Sequence, residues 1–134
     1  MDTGPLVAYL DGSDTAHAAV AARLDAFTGR VATTSSVVTE AMHFVGAAPD
    51  GPRFLVDLLA ACETEVIDFT DPAGLPDLVS LMERYANVPM DFADATLVLL
   101  AEQLAAYDVL TLDRRGFSTY RTRNGRALRL VLDR

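Results

Sequence analysis

The sequence predicts an α/β fold in which short strands alternate with helices around a mostly parallel sheet. Strand-like runs occur at residues 30–34, 65–69 and 109–112. The longer segments between them carry apolar residues at helical spacing, and glycine, proline and asparagine mark the turns. Because strands that alternate with helices are typical of βαβ units, we expect helices to cover both faces of the sheet.

The first residues predict the end of a strand that turns at once into a helix. Asp2 is followed by Thr-Gly-Pro, and Pro5 suits the first turn of a helix over residues 6–10. Little strand precedes Asp2, so either the first strand is very short or the chain begins upstream. After a turn at 12–14, a second helix is indicated by apolar residues at i, i+4 and i+7: Val20, Leu24 and Phe27.

Residues 30–45 predict a strand followed directly by a helix. The strand is the run RVATT, and Ser35 or Ser36 is expected to cap the helix. Glu40 lies inside the apolar part of that helix. A bare carboxylate there is costly unless it lines a polar pocket, which makes Glu40 a candidate site residue.

Two further helices are predicted on either side of the strand at 65–69. The first has an apolar stripe formed by Phe54, Leu55, Leu58, Leu59 and Cys62. The second begins at Asp71-Pro72 and faces inward with Leu78, Leu81, Met82 and Tyr85.

Residues 88–117 are the stretch around which the chain is organised. Asp91 and Asp94 open an amphipathic helix and project from one side of its first turn, although local sequence explains Asp91 equally well as a plain N-cap. The strand at 109–112 follows and ends in Asp113. Ligands bind at the carboxyl ends of strands in open α/β sheets, so we expect these acids to meet there. Carboxylates held close together repel one another, and a hard divalent cation relieves that repulsion unless one of them takes up a proton.

The composition restricts the possible classes of protein. The chain has 134 residues and is 51% hydrophobic, which suits one globular domain over residues 1–134. Its apolar runs are far shorter than the ~20 residues of a membrane span, and no secretory signal pattern is present. The single cysteine, Cys62, allows no internal disulfide. We therefore expect a cytoplasmic protein without a membrane partner.

The charge is unevenly distributed along the chain. The net charge of −8 argues against general affinity for nucleic acid. Residues 114–134, however, hold seven arginines and one acid, and lysine is absent from the whole chain. We expect residues 118–125 to form a polar loop and residues 127–132 an edge strand. The basic segment beside Asp113 could contact a nucleic-acid substrate, but it could equally be a solvated face or a protein contact.

The acidic positions and their surroundings resemble the PIN-domain ribonucleases, and more narrowly the VapC-type toxins of bacterial type II toxin–antitoxin systems. The resemblance is carried by DTGPLVAYLD, VVTEAMHFV, PMDFADATLVLLAE and LTLDRRGF, in that order and over almost the whole chain. It implies a three-layer α/β/α PIN-like fold with a short, mostly parallel central sheet. It also implies Mg²⁺ or Mn²⁺ dependence, endonucleolytic cleavage of RNA such as tRNA or rRNA, a homodimer, and a cognate antitoxin that blocks the site.

The resemblance and the chemistry of phosphodiester hydrolysis suggest a role for each acid. Asp2 and Asp94 would be the closest metal ligands, and Asp91 and Asp113 would hold water on the ion or a second ion. Glu40 would orient the attacking water or complete the acidic pocket. The expected catalytic set is therefore Asp2, Glu40, Asp94 and Asp113.

Other side chains would support the acids or the substrate. Hydrogen bonds that fix the carboxylates are expected from Thr3, Ser35 and Thr111. Contacts to RNA phosphate are expected from Arg114 and Arg115.

Two other classes of protein remain as alternatives. One is a PIN-like module that has lost activity and serves only as a binding partner. The other is a phospho-accepting signalling domain, which also clusters acids around Mg²⁺. The second normally needs a lysine near the acyl phosphate, and this chain has none.

Overall fold

The computed structural model describes residues 1–133 and confirms the α/β class. The helices are α1 (Thr3–Leu10), α2 (His17–Asp25), α3 (Ser35–Val45), α4 (Gly51–Ala61), α5 (Leu75–Arg84), α6 (Phe92–Leu104) and α7 (Arg114–Thr119). The strands are β1 (Ala32–Thr34), β2 (Glu65–Ile67), β3 (Asp108–Val109) and β4 (Arg129–Leu130), and a 3₁₀ turn spans Val131–Asp133.

The sheet consists of two parallel pairs that are joined through the first two residues. β1 pairs with β2, and β3 pairs with β4. Between the pairs, the Met1 ammonium donates to the Ala32 carbonyl at 2.7 Å, and the Asp2 amide donates to the Leu110 carbonyl at 3.0 Å. Thr33 Oγ1 also donates to the Met1 carbonyl at 2.6 Å, although residues 1–2 are not assigned to a strand. These contacts place Asp2 at the centre of the sheet, beside the ends of β1 and β3.

Helix α6 is the most buried helix and passes through the centre of the core. Every residue from 95 to 101 is buried, so this part of the helix is enclosed on all sides and not amphipathic as expected. Thr96 Oγ1 donates to the Ala93 carbonyl at 2.6 Å and lies 2.8 Å from Thr34 Oγ1. These bonds tie the start of α6 to the end of β1. Within residues 1–133, no helix combines the length and apolar content required to cross a bilayer.

Several predicted boundaries were wrong. The N-cap of α3 is Thr34 and not Ser35 or Ser36. The backbone of Thr34 is extended, which lets its Oγ1 accept a hydrogen bond from the Val37 amide at 3.3 Å. Helix α5 begins at Leu75 and not at Asp71, since a turn precedes it. The strands are shorter than predicted, and α7 occupies part of the stretch expected to be a loop. Two predicted core residues, Phe27 and Phe54, are 53% and 52% exposed.

The buried N-terminal amine makes folding stability depend on pH. Burial lowers the pKa of the Met1 amino group to about 6 from its usual 8.0. Between these pH values the unfolded chain holds more protons than the folded one, so this amine stabilises the fold less as pH falls from 8 to 6. A Gly-Ser extension before Met1 would replace the ammonium by a peptide N–H that can still donate to Ala32.

We expect the extended chain to be more stable than the original below pH 6, by about 2–3 kcal/mol, and the two to converge near pH 8. An apolar groove of about 330 Å³, which begins at Met1 and is lined by Leu97, Leu100 and Val109, has room for the added residues. Urea unfolding of both chains at pH 5.5 and 8, in EDTA, measures the difference. If the difference in unfolding free energy between the two chains does not change with pH, it does not come from the Met1 amine.

Candidate active site

The structure brings all five predicted acids to one cleft. This acidic cleft has a volume of about 380 Å³ and is lined by Asp2, Glu40, Asp91, Asp94 and Asp113, together with Asp14 and the residues around them. Three of the acids are N-caps: Asp2 of α1, Asp91 of α6 and Asp113 of α7. The cleft therefore lies where three helices begin beside the central strands, and helix N-termini favour negative charge.

Asp2 is the most buried acid of the cleft and is held by two hydrogen bonds. Its side chain is fixed by the Thr3 amide, which donates to Oδ1 at 2.7 Å, and by Thr111 Oγ1, which donates to Oδ2 at 2.6 Å. Burial raises the pKa of Asp2, and the two hydrogen bonds oppose that rise. Thr111 Oγ1 also accepts from the Asp113 amide at 3.0 Å. Thr111 therefore links two of the predicted site residues, as expected for a residue that fixes carboxylates.

Asp91 and Asp94 form a capping box at the start of α6. The Asp94 amide donates to Asp91 Oδ1 at 2.8 Å, and the Asp91 amide donates to Asp94 Oδ2 at 3.3 Å. The sequence left open whether Asp91 is a cap or a site residue. It is a cap whose carboxylate also lines the acidic cleft, because the capping box leaves part of each carboxylate facing outward.

Asp94 carries the strongest electrostatic signal in the cleft. Its pKa is raised to about 7 from the usual 3.8, first by burial and then by the charges of Asp91, Asp2 and Asp113. A carboxyl group with this pKa shares its site with uncompensated negative charge near neutral pH. The negative charge of Glu40 likewise contributes to the raised pKa of Asp2, which shows that α3 brings its acid close to the others.

Of the other two residues expected to fix the carboxylates by hydrogen bonds, Thr3 contacts a cleft acid and Ser35 does not. Ser35 Oγ donates to Asp68 at 2.9 Å and is not among the residues that line the acidic cleft. The reason is that Thr34 is the cap, so Ser35 becomes the first helical residue and turns towards the end of β2. Thr3 holds Asp2 through its backbone N–H, whereas its buried hydroxyl has no hydrogen-bond partner within residues 1–133.

The basic segment is mostly occupied by contacts within the protein. Arg114 Nε donates to Asp133 at 2.6 Å, and Arg123 pairs with both Asp77 and Glu102. Arg115 is exposed, follows the cleft residue Asp113 by two positions, and forms no ion pair with any residue in the described part of the chain. Of the two arginines predicted to contact RNA, Arg115 is the one whose guanidinium is not held by a carboxylate.

Asp14 is a cleft residue that the sequence did not single out. Its Oδ1 accepts from the Ala16 amide at 2.7 Å in the turn before α2, and its side chain also lines the acidic cleft. The sequence showed only a turn at 12–14, and a turn fully explains an aspartate there. Only the packing of α2 beside α1 brings it to the other acids.

The donor set fits a hard divalent cation. In the present side-chain positions, no three carboxylates of residues 1–133 converge closely enough to coordinate one ion. Mg²⁺ does not require this, since it keeps several waters and uses one or two protein carboxylates. Burial raises the pKa of Asp94 first, and the charges of Asp91, Asp2 and Asp113 add to that rise; a bound cation would offset these charges.

Comparisons with known proteins agree with this architecture. The family model of the PIN domain matches residues 1–122. The chain is 29% identical over 127 residues to Ribonuclease VapC26 from Mycobacterium tuberculosis (strain ATCC 25618 / H37Rv), with 93% of each chain covered. The fold is similar to the crystal structure of Mycobacterium tuberculosis VapC20, described as a Sarcin-Ricin loop cleaving toxin. That match has a TM-score of 0.75 and 14% identity and covers 86% of this chain and 89% of the other.

Proposed function

Because this chain belongs to the PIN domain family, we propose that it is a Mg²⁺- or Mn²⁺-dependent endoribonuclease that acts as the toxin of a toxin–antitoxin pair. The observation that carries the proposal is the meeting of five acids from four separate segments in one cleft. The name of the similar ribonuclease VapC26 supports the reaction class. Asp2 and Asp94 would hold the cation, with Asp91 and Asp113 holding its waters or a second ion.

The predicted site residues would divide the tasks of phosphodiester hydrolysis between them. A bound divalent ion lowers the pKa of water and neutralises charge on the phosphoryl oxygens. Thr111 and the Thr3 amide hold Asp2 in a fixed orientation. Glu40, which lines the same cleft, would orient the attacking water and take up its proton. Arg115 contacts the phosphate backbone at the rim of the cleft.

The negative charge of the cleft favours the binding of a cation and of a basic side chain from an antitoxin. A cleft with six carboxylates repels RNA until a cation and Arg115 offset the charge. We propose that the substrate is RNA such as tRNA or rRNA, that a cognate antitoxin blocks the cleft, and that the chain forms a homodimer. An antitoxin that places an arginine among the acids would compete directly with both cation and RNA.

The decisive assay incubates the purified chain with structured RNA in Mn²⁺ or in EDTA. The proposal predicts cleavage within RNA loops in Mn²⁺ and none in EDTA. Cleavage that continues in EDTA would contradict the metal role. A folded chain that binds RNA or antitoxin without cutting would favour the inactive binding module. The phospho-accepting alternative gains no support, because the chain has no lysine to contact an acyl phosphate.

Arg115→Ala should weaken RNA binding more than Arg114→Ala. Arg115 is free to contact phosphate, whereas Arg114 is engaged with Asp133, which makes Arg114→Ala the matched control. We expect Arg115→Ala to raise KM about 3–10-fold with little change in kcat, and to reduce the slope of log affinity against log salt by about one. Steady-state cleavage at several salt concentrations measures both. If both substitutions change KM and the salt dependence equally, Arg115 has no special role in binding RNA phosphate.

A further inference from the structure

Tyr120 is a fully buried tyrosine whose hydroxyl lies beneath the acidic cleft. It follows α7 directly and is 0% exposed. Its Oη donates to the Pro89 carbonyl at 2.7 Å, two residues before the Asp91 cap. Burial, and then the charges of the nearby Asp94 and Asp113 carboxylates, raise the pKa of the phenol. The hydroxyl is thus the polar group that connects the start of α6 with α7.

Gly116 leaves the space that this contact needs. A Cβ at Gly116 would lie 2.8 Å from Tyr120 Oη and 2.1 Å from Asp113 Oδ2. Any side chain there would have to displace the phenol, the carboxylate or both. The Gly116 amide meanwhile donates to Asp113 Oδ1 at 2.9 Å. The phenol and the Asp113 carboxylate therefore approach each other across the first turn of α7 only because residue 116 is glycine.

The ring of Tyr120 is fixed independently of its hydroxyl. It meets Phe117 edge-to-face at 5.4 Å between centroids and Tyr85 at 5.1 Å. Tyr85 Oη in turn accepts from the Arg121 amide at 2.9 Å. Phenylalanine at position 120 would keep both ring contacts, so packing alone does not require a hydroxyl there.

We propose that Tyr120 is a positioning residue whose hydroxyl sets the separation between the acids at the start of α6 and Asp113, and so the geometry of the cation site. The inference rests on the proposed function, since it assumes that these acids hold a divalent cation. Tyr120 itself touches neither cation nor substrate. It acts through Asp94 and through the backbone at Pro89, where a shift of the phenol would move the capping box as a unit.

The test compares Tyr120→Phe with Tyr85→Phe. Both remove one hydroxyl from the same aromatic pair, but Tyr85 bonds to the Arg121 amide and not to the α6 acids. We expect Tyr120→Phe to weaken Mn²⁺ binding about 10-fold and to lower kcat about 10-fold at a fixed Mn²⁺ concentration, with RNA KM changed less than about 2-fold. Tyr85→Phe should leave the Mn²⁺ affinity within about 2-fold of the wild type.

Electron paramagnetic resonance of free Mn²⁺ measures the affinity without any reference to activity, and a urea midpoint in EDTA measures folding separately. Wild-type Mn²⁺ affinity and kcat in a folded Tyr120→Phe would overturn the inference alone. Equal weakening by Tyr85→Phe would also overturn it, because the effect would then follow from general packing. A wild-type chain that binds no Mn²⁺ would instead overturn the proposed function on which the inference depends.

Discussion

Asp94→Asn should abolish most RNA cleavage while leaving the protein folded. Asparagine keeps an oxygen that can accept from the Asp91 amide, so the capping box survives. It removes the charge that would hold the cation, and we expect the rate to fall at least about 100-fold. In EDTA at pH 8 the variant should be more stable than the wild type, because burial and the neighbouring carboxylates both oppose the ionisation of Asp94. Single-turnover cleavage and urea unfolding measure the two effects.

Asp57→Asn is the matched control for this substitution. Asp57 is an exposed aspartate of α4 and does not line the acidic cleft. Its substitution should change neither rate nor stability appreciably. A folded Asp94→Asn protein that cuts RNA within about 2-fold of the wild-type rate would show that Asp94 holds no essential cation.

Divalent cation should stabilise the protein at pH 8 and have little effect at pH 5. The pKa of Asp94 is about 7 in the folded protein and near 3.8 in an unfolded chain, so the folded state holds the extra proton between these values. Stability from this group is therefore present at low pH and lost as pH rises towards 7. Asp94 is partly exposed, and after allowance for solvent screening we expect a loss of about 1–2 kcal/mol. Mn²⁺ should reverse it by binding the ionised form.

Ionisation of the Met1 amine also changes the free energy of unfolding, which rises with pH between 6 and 8, whereas the contribution of Asp94 falls as pH rises towards 7. The contribution of Met1 must therefore be removed before that of Asp94 is measured. Asp94→Asn retains Met1, and the difference between wild type and variant isolates Asp94. Thermal unfolding at pH 5 and pH 8, with Mn²⁺ or EDTA, gives the four values needed for each protein. An equal Mn²⁺ shift at both pH values, or an undiminished shift in Asp94→Asn, would place the cation elsewhere.

The sequence predicted the acids of the cleft better than their supporting contacts. Asp113 was identified because it directly follows a strand, and Asp91 and Asp94 because they open a helix. Such local patterns persist in the fold, since strand ends and helix starts meet at one edge of the sheet. Asp14 was missed because its role in a turn already explains it.

The contacts that the sequence did not predict depend on partners far away in the chain. Arg123 is held by Asp77 and Glu102, which no spacing rule connects to it. The sequence therefore overestimated how many arginines of the basic segment are available to bind RNA. Helix α7 was missed because it is short and polar, and it forms where Asp113 caps its first turn and Phe117 packs into the core. Both features become visible only once the chain is folded.

Anomalous scattering of Mn²⁺ in crystals of the protein tests directly whether the acidic cleft holds the cation. We expect an anomalous peak in the acidic cleft, within bonding distance of Asp2 or Asp94, that disappears in crystals of Asp94→Asn. A peak elsewhere on the protein, or an empty cleft at a Mn²⁺ concentration that supports RNA cleavage, would contradict it.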